Sequence, residues 1–162
     1  MPNSPRVAYV DVLVLRGAGP TLEVLCLRRA PHGRSPGSWE AVHGHIDPGE
    51  TPVAAALREV REEAGARPQR LYNLSRIETF YRHTTDEVVL IPVFAAFLRW
   101  EAEVALSSEH DQFDWLPPHE ARARMSWPRV RRELDDVMAL LAEGSAGVLE
   151  DMLRVPSADE GP

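Results

Sequence analysis

Short apolar runs rich in Val and Leu predict β-strands along much of the chain. Gly17, Gly19 and Pro20 separate the first two runs, which predicts a strand pair joined by a turn. Two later apolar runs are long. A third apolar run is short, because Pro117 and Pro118 follow it. The predicted strands occupy residues 6–15, 22–28, 71–82, 87–100 and 112–116.

One segment follows a helical period instead. Thr51 suits the N-cap position, Pro52 suits the first helical position, and Gly65 suits the C-terminal stop. Between them, apolar residues recur at helical spacing on one side: Val53, Ala56, Leu57 and Val60. We therefore predict a helix over residues 51–64.

Helices are also predicted over residues 119–125 and 129–142. Strands interleaved with helices predict an α/β fold, in which helices cover a mixed sheet. A length of 162 residues fits one domain. We expect a flexible N-terminus over residues 1–5, a domain over residues 6–143 and an acidic tail over residues 144–162.

The chain carries 25 acidic and 18 basic residues, for a net charge of −7, and every basic residue is Arg. The absence of Lys excludes a Schiff-base mechanism and a P-loop lysine. The net charge argues against a non-specific nucleic-acid partner, which needs a basic surface. Residues 44–66 and 147–162 each sum to −3, so the acidity is concentrated in two segments.

The longest apolar stretch, residues 88–98, is strand-sized and contains Pro92, so we expect no membrane partner. The N-terminus lacks the basic start and apolar run of a signal peptide, which favours a cytoplasmic location. Cys26 is the single cysteine, which excludes an internal disulfide. Its apolar neighbours predict a small buried side chain.

The predicted helix over residues 51–64 concentrates carboxylates on one face. Glu59 and Glu63 are four residues apart and stand one above the other, and Glu62 borders the same face. Like charges at this spacing repel, and a hard divalent cation such as Mg²⁺ would turn that repulsion into attraction. Arg58 precedes this cluster and can fix the orientation of a carboxylate.

The full spacing is more specific. Residues 44–66, GHIDPGETPVAAALREVREEAGA, resemble the Nudix box, Gly-x5-Glu-x7-Arg-Glu-U-x-Glu-Glu-x-Gly-U, where U is aliphatic. Every fixed position is matched, although Ala66 is smaller than the usual last residue. The resemblance implies membership of the Nudix hydrolases. Their fold is an αβα sandwich with a mixed β-sheet and a loop-helix-loop that carries the box.

The Nudix resemblance implies Mg²⁺-dependent hydrolysis of a nucleoside diphosphate linked to another group, with Mn²⁺ able to substitute. It assigns the metal to Glu59, Glu62, Glu63 and the backbone carbonyl of His43. It also implies that Arg58 orients Glu59 and that Glu50 braces the loop, with Gly44 and Gly65 as structural positions. The partner would be a nucleotide or another small diphosphate. Dimerisation is common in this family, so a homodimer is also considered.

Residues outside the box add candidates. Glu109 lies in a segment, residues 107–111, that resembles the later acidic loop of many Nudix hydrolases, where it would be a metal ligand or base; the alternative is a solvated loop carboxylate. Arg28 and Arg29 end a predicted strand, and one of them would grip a phosphate. The side chain of His43 either donates to a phosphate or fills space.

Two aromatic residues have a functional and a packing interpretation. Trp39 either stacks on a base or fills the core, with the core favoured. Tyr81 lies roughly where diadenosine polyphosphate hydrolases carry a tyrosine that contacts the base, although packing is favoured. The sequence does not rank the candidate substrates, which are dihydroneopterin triphosphate, dATP, diadenosine polyphosphates and nucleotide sugars. The alternatives to hydrolysis are a nucleotide-sensing module without turnover and an isopentenyl diphosphate isomerase-like enzyme.

Overall fold

Residues 4–157 are described in this computed structural model, and within them nine strands form one sheet. Parts of the predicted flexible N-terminus and acidic tail, residues 1–3 and 158–162, lie outside the described residues. The strands are β1 (Arg6–Val7), β2 (Tyr9–Arg16), β3 (Glu23–Arg29), β4 (Trp39–Glu40), β5 (Val42–His45), β6 (Arg70–Arg82), β7 (Glu87–Phe97), β8 (His110–Leu116) and β9 (Arg154–Val155). The helices of this part are α1 (Pro52–Ala64), α2 (Pro118–Arg124), α3 (Pro128–Leu141) and α4 (Glu150–Leu153).

The sheet is mixed, as predicted. Its main path runs β4-β3-β2-β7-β6-β9, and β2 and β7 at its centre are parallel. The other neighbours on this path are antiparallel. In addition, β5 pairs with β2, β8 with β3, and β1 with β7. The pairing of β5 with β2 places the start of the Nudix box beside the centre of the sheet.

Alternation along β2 shows how the sheet fills two cores. Val10, Val12 and Val14 belong to one apolar cluster together with the buried face of α1. Leu13 and Leu15 belong to the other cluster, together with α2 and α3. Because successive side chains of a strand point to opposite faces, one strand serves both layers. The molecule is therefore the αβα sandwich that the sequence predicts.

The helix predicted over residues 51–64 is α1. The side chain of Thr51 accepts a hydrogen bond from the Ala54 amide at 3.2 Å, which caps the N-terminus. Gly65 ends the helix with a φ of 68°, and a Cβ atom there would lie 2.7 Å from that of Ala105. Glycine is required at this position on both grounds. No helix within residues 4–157 is long and apolar enough to cross a bilayer.

The start of the predicted acidic tail packs on the sheet. Leu153 is buried, and β9 pairs with β6 through Leu71 and Val155. Glu150 accepts hydrogen bonds from the Tyr72 hydroxyl at 2.8 Å and from the Ala146 amide at 2.7 Å. The sequence analysis assigned this segment to an acidic tail, because Gly, Ser, Pro and acidic residues accumulate after residue 143. The domain division at residue 143 stays a prediction.

Candidate active site

Gly44 in β5 lies against the carboxylate of Glu59 in α1. A Cβ atom on Gly44 would lie 1.9 Å from the Cδ atom of Glu59, so a larger residue would displace this carboxylate. The space that the glycine leaves is therefore filled by a side chain of the box itself. Glycine at this position allows α1 to present Glu59 directly beside β5.

Arg58 holds the box together with all five of its N–H groups. Nε and Nη2 each donate to Glu50 at 2.9 Å. Nη1 donates to Glu59 at 2.7 Å and to Glu62 at 3.2 Å. Nη2 also donates to the backbone carbonyl of His45 at 2.8 Å, which ties α1 to the end of β5. The planar fork of donors fixes the orientation of Glu59, as a single lysine ammonium would not.

Glu50 closes the loop that precedes α1. It accepts from Arg58 and from the backbone amide of Asp47, the latter at 3.0 Å. Its hydrogen bonds with Arg58 lower the pKa of Glu50 to about 2, so it is ionised at neutral pH. The side chain thus acts as a fixed anionic brace between the loop and the helix.

Glu59 and Glu63 are both buried at the base of the site. Burial raises the pKa of Glu59, against the opposing influence of Arg58. Burial, followed by the charges of Glu59, Glu40 and Glu109, raises the pKa of Glu63 well above its usual value. The Oε2 atom of Glu63 is buried and accepts no hydrogen bond from the described residues. Such an oxygen is costly unless a cation or a proton satisfies it.

Glu62 and Glu109 form a more exposed rim, with side chains 55% and 57% accessible. Glu40, a residue that the sequence did not single out, is buried beneath them. It accepts from Arg29 at 3.2 Å and contacts the buried ring of His110 at 2.9 Å. Arg29 also approaches Glu109 to 4.0 Å, so it bridges the buried and exposed carboxylates.

The ring of His43 is held by a buried acid that the sequence analysis also missed. Its Nδ1 atom lies 2.6 Å from Asp11, and Arg129 donates to the same carboxylate at 2.7 Å. Because a carboxylate only accepts, Nδ1 carries the hydrogen. Burial raises the pKa of Asp11, but His43 and Arg129 outweigh it and hold that pKa well below its usual range. A lone Asp within an apolar strand was the available signal.

Glu133 in α3 completes this group. It is fully buried, and no N–H or O–H of the described residues donates to its ionised carboxylate. Burial, followed by the charge of Asp11, raises the pKa of Glu133 to about 10. A protonated Glu133 can donate its hydroxyl hydrogen to Asp11, which removes the conflict between two adjacent acids.

A cleft of about 1230 Å³ joins these groups. Its acidic lining consists of Glu40, Asp47, Glu59, Glu62, Glu63 and Glu109. Its basic lining consists of Arg29, Arg34, Arg82, Arg129 and Arg132, and its aromatic lining of Tyr9, Phe80 and Trp127. His43 and Gly44 also line it. The cleft therefore presents carboxylates for a cation together with arginines and rings for an anionic, aromatic ligand.

Most of the cleft arginines are already paired with carboxylates. The pairs are Arg29 with Glu40 at 3.2 Å, Arg82 with Glu87 at 3.4 Å, Arg129 with Asp11 at 2.7 Å and Arg132 with Glu78 at 2.8 Å. Arg34 has no such partner among residues 4–157. It was not among the candidates from sequence, because a single arginine in a loop carries no pattern.

Three of the candidate substrate contacts, Arg28, Trp39 and Tyr81, are not among the described residues that line the cleft. Arg28 pairs with Asp111 at 2.8 Å. Trp39 packs against the core, as favoured, whereas Tyr81 is 58% exposed rather than packed.

Alternation along the strands explains why these three residues lie outside the lining of the cleft. Each residue has a strand neighbour that does line the cleft: Arg29 beside Arg28, Glu40 beside Trp39, and both Phe80 and Arg82 beside Tyr81. Successive side chains of a strand point to opposite faces, so the residue next to one that lines the cleft points away from it. Residue type alone does not reveal which face is which.

The donor set fits a hard divalent cation. Among the described residues, no three Asp, Glu, His or Cys side chains already surround a common ion position. The unsatisfied oxygen of Glu63 and the cradle at Gly44 nevertheless place carboxylate oxygens at the base of the cleft. Oxygen atoms of this kind are the ligands that Mg²⁺ prefers.

Comparison with known proteins agrees with this arrangement. The sequence profile of the NUDIX domain matches residues 5–137. An octanoyltransferase of Myxococcus xanthus is 31% identical over 134 residues, which cover 78% of this chain and 35% of that protein. An asymmetrical bis(5'-nucleosyl)-tetraphosphatase of Mus musculus is 35% identical over 100 residues, which cover 60% of this chain and 68% of that protein. The chain thus spans about a third of the first relative's length and about two thirds of the second's.

Two solved structures share the fold. An Ap4A hydrolase of C. elegans, in a binary complex, has a TM-score of 0.70 and 26% identity, covering 85% of this chain and 98% of that one. The E. coli dihydroneopterin triphosphate pyrophosphohydrolase has a TM-score of 0.65 and 26% identity, covering 80% of this chain and 96% of that one. Because the NUDIX profile also matches most of the sequence, the chain belongs to the Nudix family.

Proposed function

We propose that this protein hydrolyses a pyrophosphate bond in a nucleoside diphosphate derivative, with Mg²⁺ as its cofactor and Mn²⁺ able to substitute. The observation that carries the proposal is the buried pair Glu59 and Glu63 at the base of a cleft that also holds arginines. Two desolvated carboxylates, one with an unsatisfied oxygen, are costly in the absence of a cation. A cation bound there would draw the phosphates of a substrate toward the same carboxylates.

Different residues of the site would hold the metal, orient a carboxylate and accept a proton. The metal, held by Glu59, Glu62, Glu63, Glu109 and the His43 carbonyl, would neutralise phosphate oxygens and lower the pKa of bound water. Arg58 keeps the Glu59 carboxylate in place through a charge-assisted hydrogen bond. Water reaches the exposed carboxylates Glu62 and Glu109 most easily, so one of them would take the proton of the attacking water.

The relatives narrow the substrates worth testing. The tetraphosphatase of Mus musculus and the Ap4A hydrolase of C. elegans are named for dinucleoside polyphosphates. A cleft of about 1230 Å³ exceeds the roughly 300–1,000 Å³ of typical small-molecule pockets, which leaves room for a large nucleotide. We therefore propose a nucleoside polyphosphate substrate. Cytoplasmic location and homodimerisation stay predictions.

The direct test is turnover of a substrate panel with Mg²⁺ or Mn²⁺. The panel contains dATP, ATP, diadenosine tetraphosphate, dihydroneopterin triphosphate, ADP-ribose and a nucleotide sugar, with released phosphate or nucleotide measured. We expect metal-dependent cleavage of at least one polyphosphate. Binding without turnover across the whole panel would instead favour the nucleotide-sensing module.

The variant Glu63→Gln tests the carboxylate assignment. It keeps the shape of the side chain but removes its charge, so we expect kcat to fall on the order of 10²-fold or more. The exposed Glu103→Gln, which lies outside the lining of the cleft, is the matched control and should retain wild-type activity. Circular dichroism and thermal unfolding verify that both variants fold. A fully active Glu63→Gln enzyme would refute the assignment.

A further inference from the structure

Among residues 4–157, Arg34 is the arginine of the cleft lining that forms no ion pair with a carboxylate. The other four arginines that line the cleft pair with carboxylates. Within residues 4–157, by contrast, Arg34 has no hydrogen-bond or ion-pair partner. A guanidinium group in this state retains five donors and a full charge for a ligand. Most exposed arginines are merely hydrated, but Arg34 lines the candidate active site.

The loop that carries Arg34 is well defined by backbone hydrogen bonds. The amide of Arg29 donates to Ser38 at 2.9 Å, and the amide of Gly37 donates back to Arg29 at 3.0 Å. A further bond from Ser38 to Ser35, at 3.1 Å, closes a turn inside the loop. The two ends of the loop between β3 and β4 are therefore joined to each other, and Arg34 is an exposed residue within this loop.

The same loop is attached to the loop that carries Glu109. The amide of Ala30 donates to the carbonyl of Glu109 at 2.9 Å. The Nε2 atom of His32 lies 3.2 Å from the carbonyl of Ser108, to which it can donate. These contacts hold the loop that carries Arg34 against the loop that carries Glu109. Arg34 is nevertheless outside ion-pair distance of the described carboxylates, so it is not neutralised by that rim.

Charge balance indicates what Arg34 would bind. In the proposed function, on which this inference rests, the carboxylates and their metal serve the two phosphates joined by the cleaved bond. A third phosphate adds negative charge that the paired arginines cannot offset without breaking buried or partly buried ion pairs. Arg34 can offset it at no such cost, through a charge-assisted, bidentate contact.

We propose that Arg34 binds a phosphate beyond the cleaved pyrophosphate and thereby selects substrates with three or more consecutive phosphates over diphosphate-bridged ones. Arg34 is thus a substrate-binding residue and a determinant of specificity. It acts on binding of the phosphate chain rather than on the chemical step.

The test compares Arg34→Gln with the control Arg99→Gln, which removes an exposed arginine that does not line the cleft. KM and kcat are measured for diadenosine tetraphosphate, ATP and ADP-ribose with Mg²⁺. We expect Arg34→Gln to raise KM about tenfold for the first two, as loss of a charge-assisted hydrogen bond implies, and less than about twofold for ADP-ribose. The kcat values should change little, and Arg34→Lys should recover part of the affinity. Unchanged KM values, or an equal rise for all substrates, would overturn the proposal.

A binding measurement separates this inference from the proposed function. Calorimetry of the full chain with Mg²⁺ compares inorganic tripolyphosphate with pyrophosphate for wild type and Arg34→Gln. If wild type cleaves no substrate, the proposed function fails. The role of Arg34 in binding a third phosphate is supported independently of cleavage if Arg34→Gln weakens tripolyphosphate binding selectively, and it is overturned if both ligands respond alike.

Discussion

At the scale of single residues, the site depends on how closely β5 and α1 approach. Gly44 leaves space that the Glu59 carboxylate fills, and Arg58 holds that carboxylate from the other side. The sequence motif fixes these residue types, but the reason for the glycine emerges only from the contact. The contact also predicts what a single added methyl group does.

Gly44→Ala should reduce activity more than stability. The new Cβ atom would displace the flexible end of Glu59 rather than backbone, so the fold can adjust at modest cost. The carboxylate would then leave Arg58, and we expect kcat to fall about 10- to 100-fold, since small misplacements of catalytic groups are costly. Steady-state kinetics with thermal unfolding measures both effects. Retention of full activity would show that the position of Glu59 is unimportant.

At the scale of elements, α3 buries charge against β2 at the back of the cleft. Arg129 and Glu133 both meet Asp11, whose carboxylate also holds the ring of His43. The helix was predicted from its apolar face, which covers the core through Leu134, Val137 and Leu141. The same helix therefore packs one core and supports the site.

Glu133→Gln should become increasingly stabilising, relative to wild type, as pH rises. Burial raises the pKa of Glu133 to about 10 from 4.5, so the folded state keeps a proton that the unfolded state loses. The contribution of Glu133 to the free energy of unfolding is fully present below pH 4.5. It falls as pH rises toward 10, by at most about 1.4 kcal/mol per pH unit. Glutamine does not titrate. Urea unfolding at pH 5, 7 and 9, with exposed Glu120→Gln as control, measures the difference; a difference independent of pH would contradict it.

At the scale of the whole molecule, the C-terminal segment closes one edge of the sheet. The segment is acidic in sequence, but its Glu150 accepts hydrogen bonds from Tyr72 in β6 and from Ala146 in the turn before α4. Arg70 in β6 also donates to the carbonyl of Gly144. The described part of the predicted tail is therefore part of the folded structure.

Glu150→Ala should destabilise the fold by about 1–2 kcal/mol, since it removes two hydrogen bonds. Its exposed neighbour provides a matched control, because Asp151→Ala removes the same charge from the same helix. Chemical unfolding of the two variants measures the difference. Equal stabilities would show that the two hydrogen bonds of Glu150 contribute nothing.

The elements were largely predictable because each leaves a local pattern. The helix over residues 51–64 has a cap, a period and a stop, and the structure confirms it as α1. The Nudix assignment rests on spacing along one helix and its flanking loops, and the NUDIX profile confirms it. Local propensity and covalent spacing determined these features before any tertiary contact formed.

The tertiary structure decided which side chains share the cleft. Asp11, Glu40 and Glu133 are far apart in sequence, and only the pairing of strands and the packing of α3 bring them to the site. The alternation of strands likewise selected Arg29 over Arg28. The sequence by itself determined the box and its carboxylate helix. Glutamates three and four residues apart share one helix face without any contact from another element. The other residues of the cleft lining, including Arg34, are brought there by long-range packing that leaves no local pattern in the sequence.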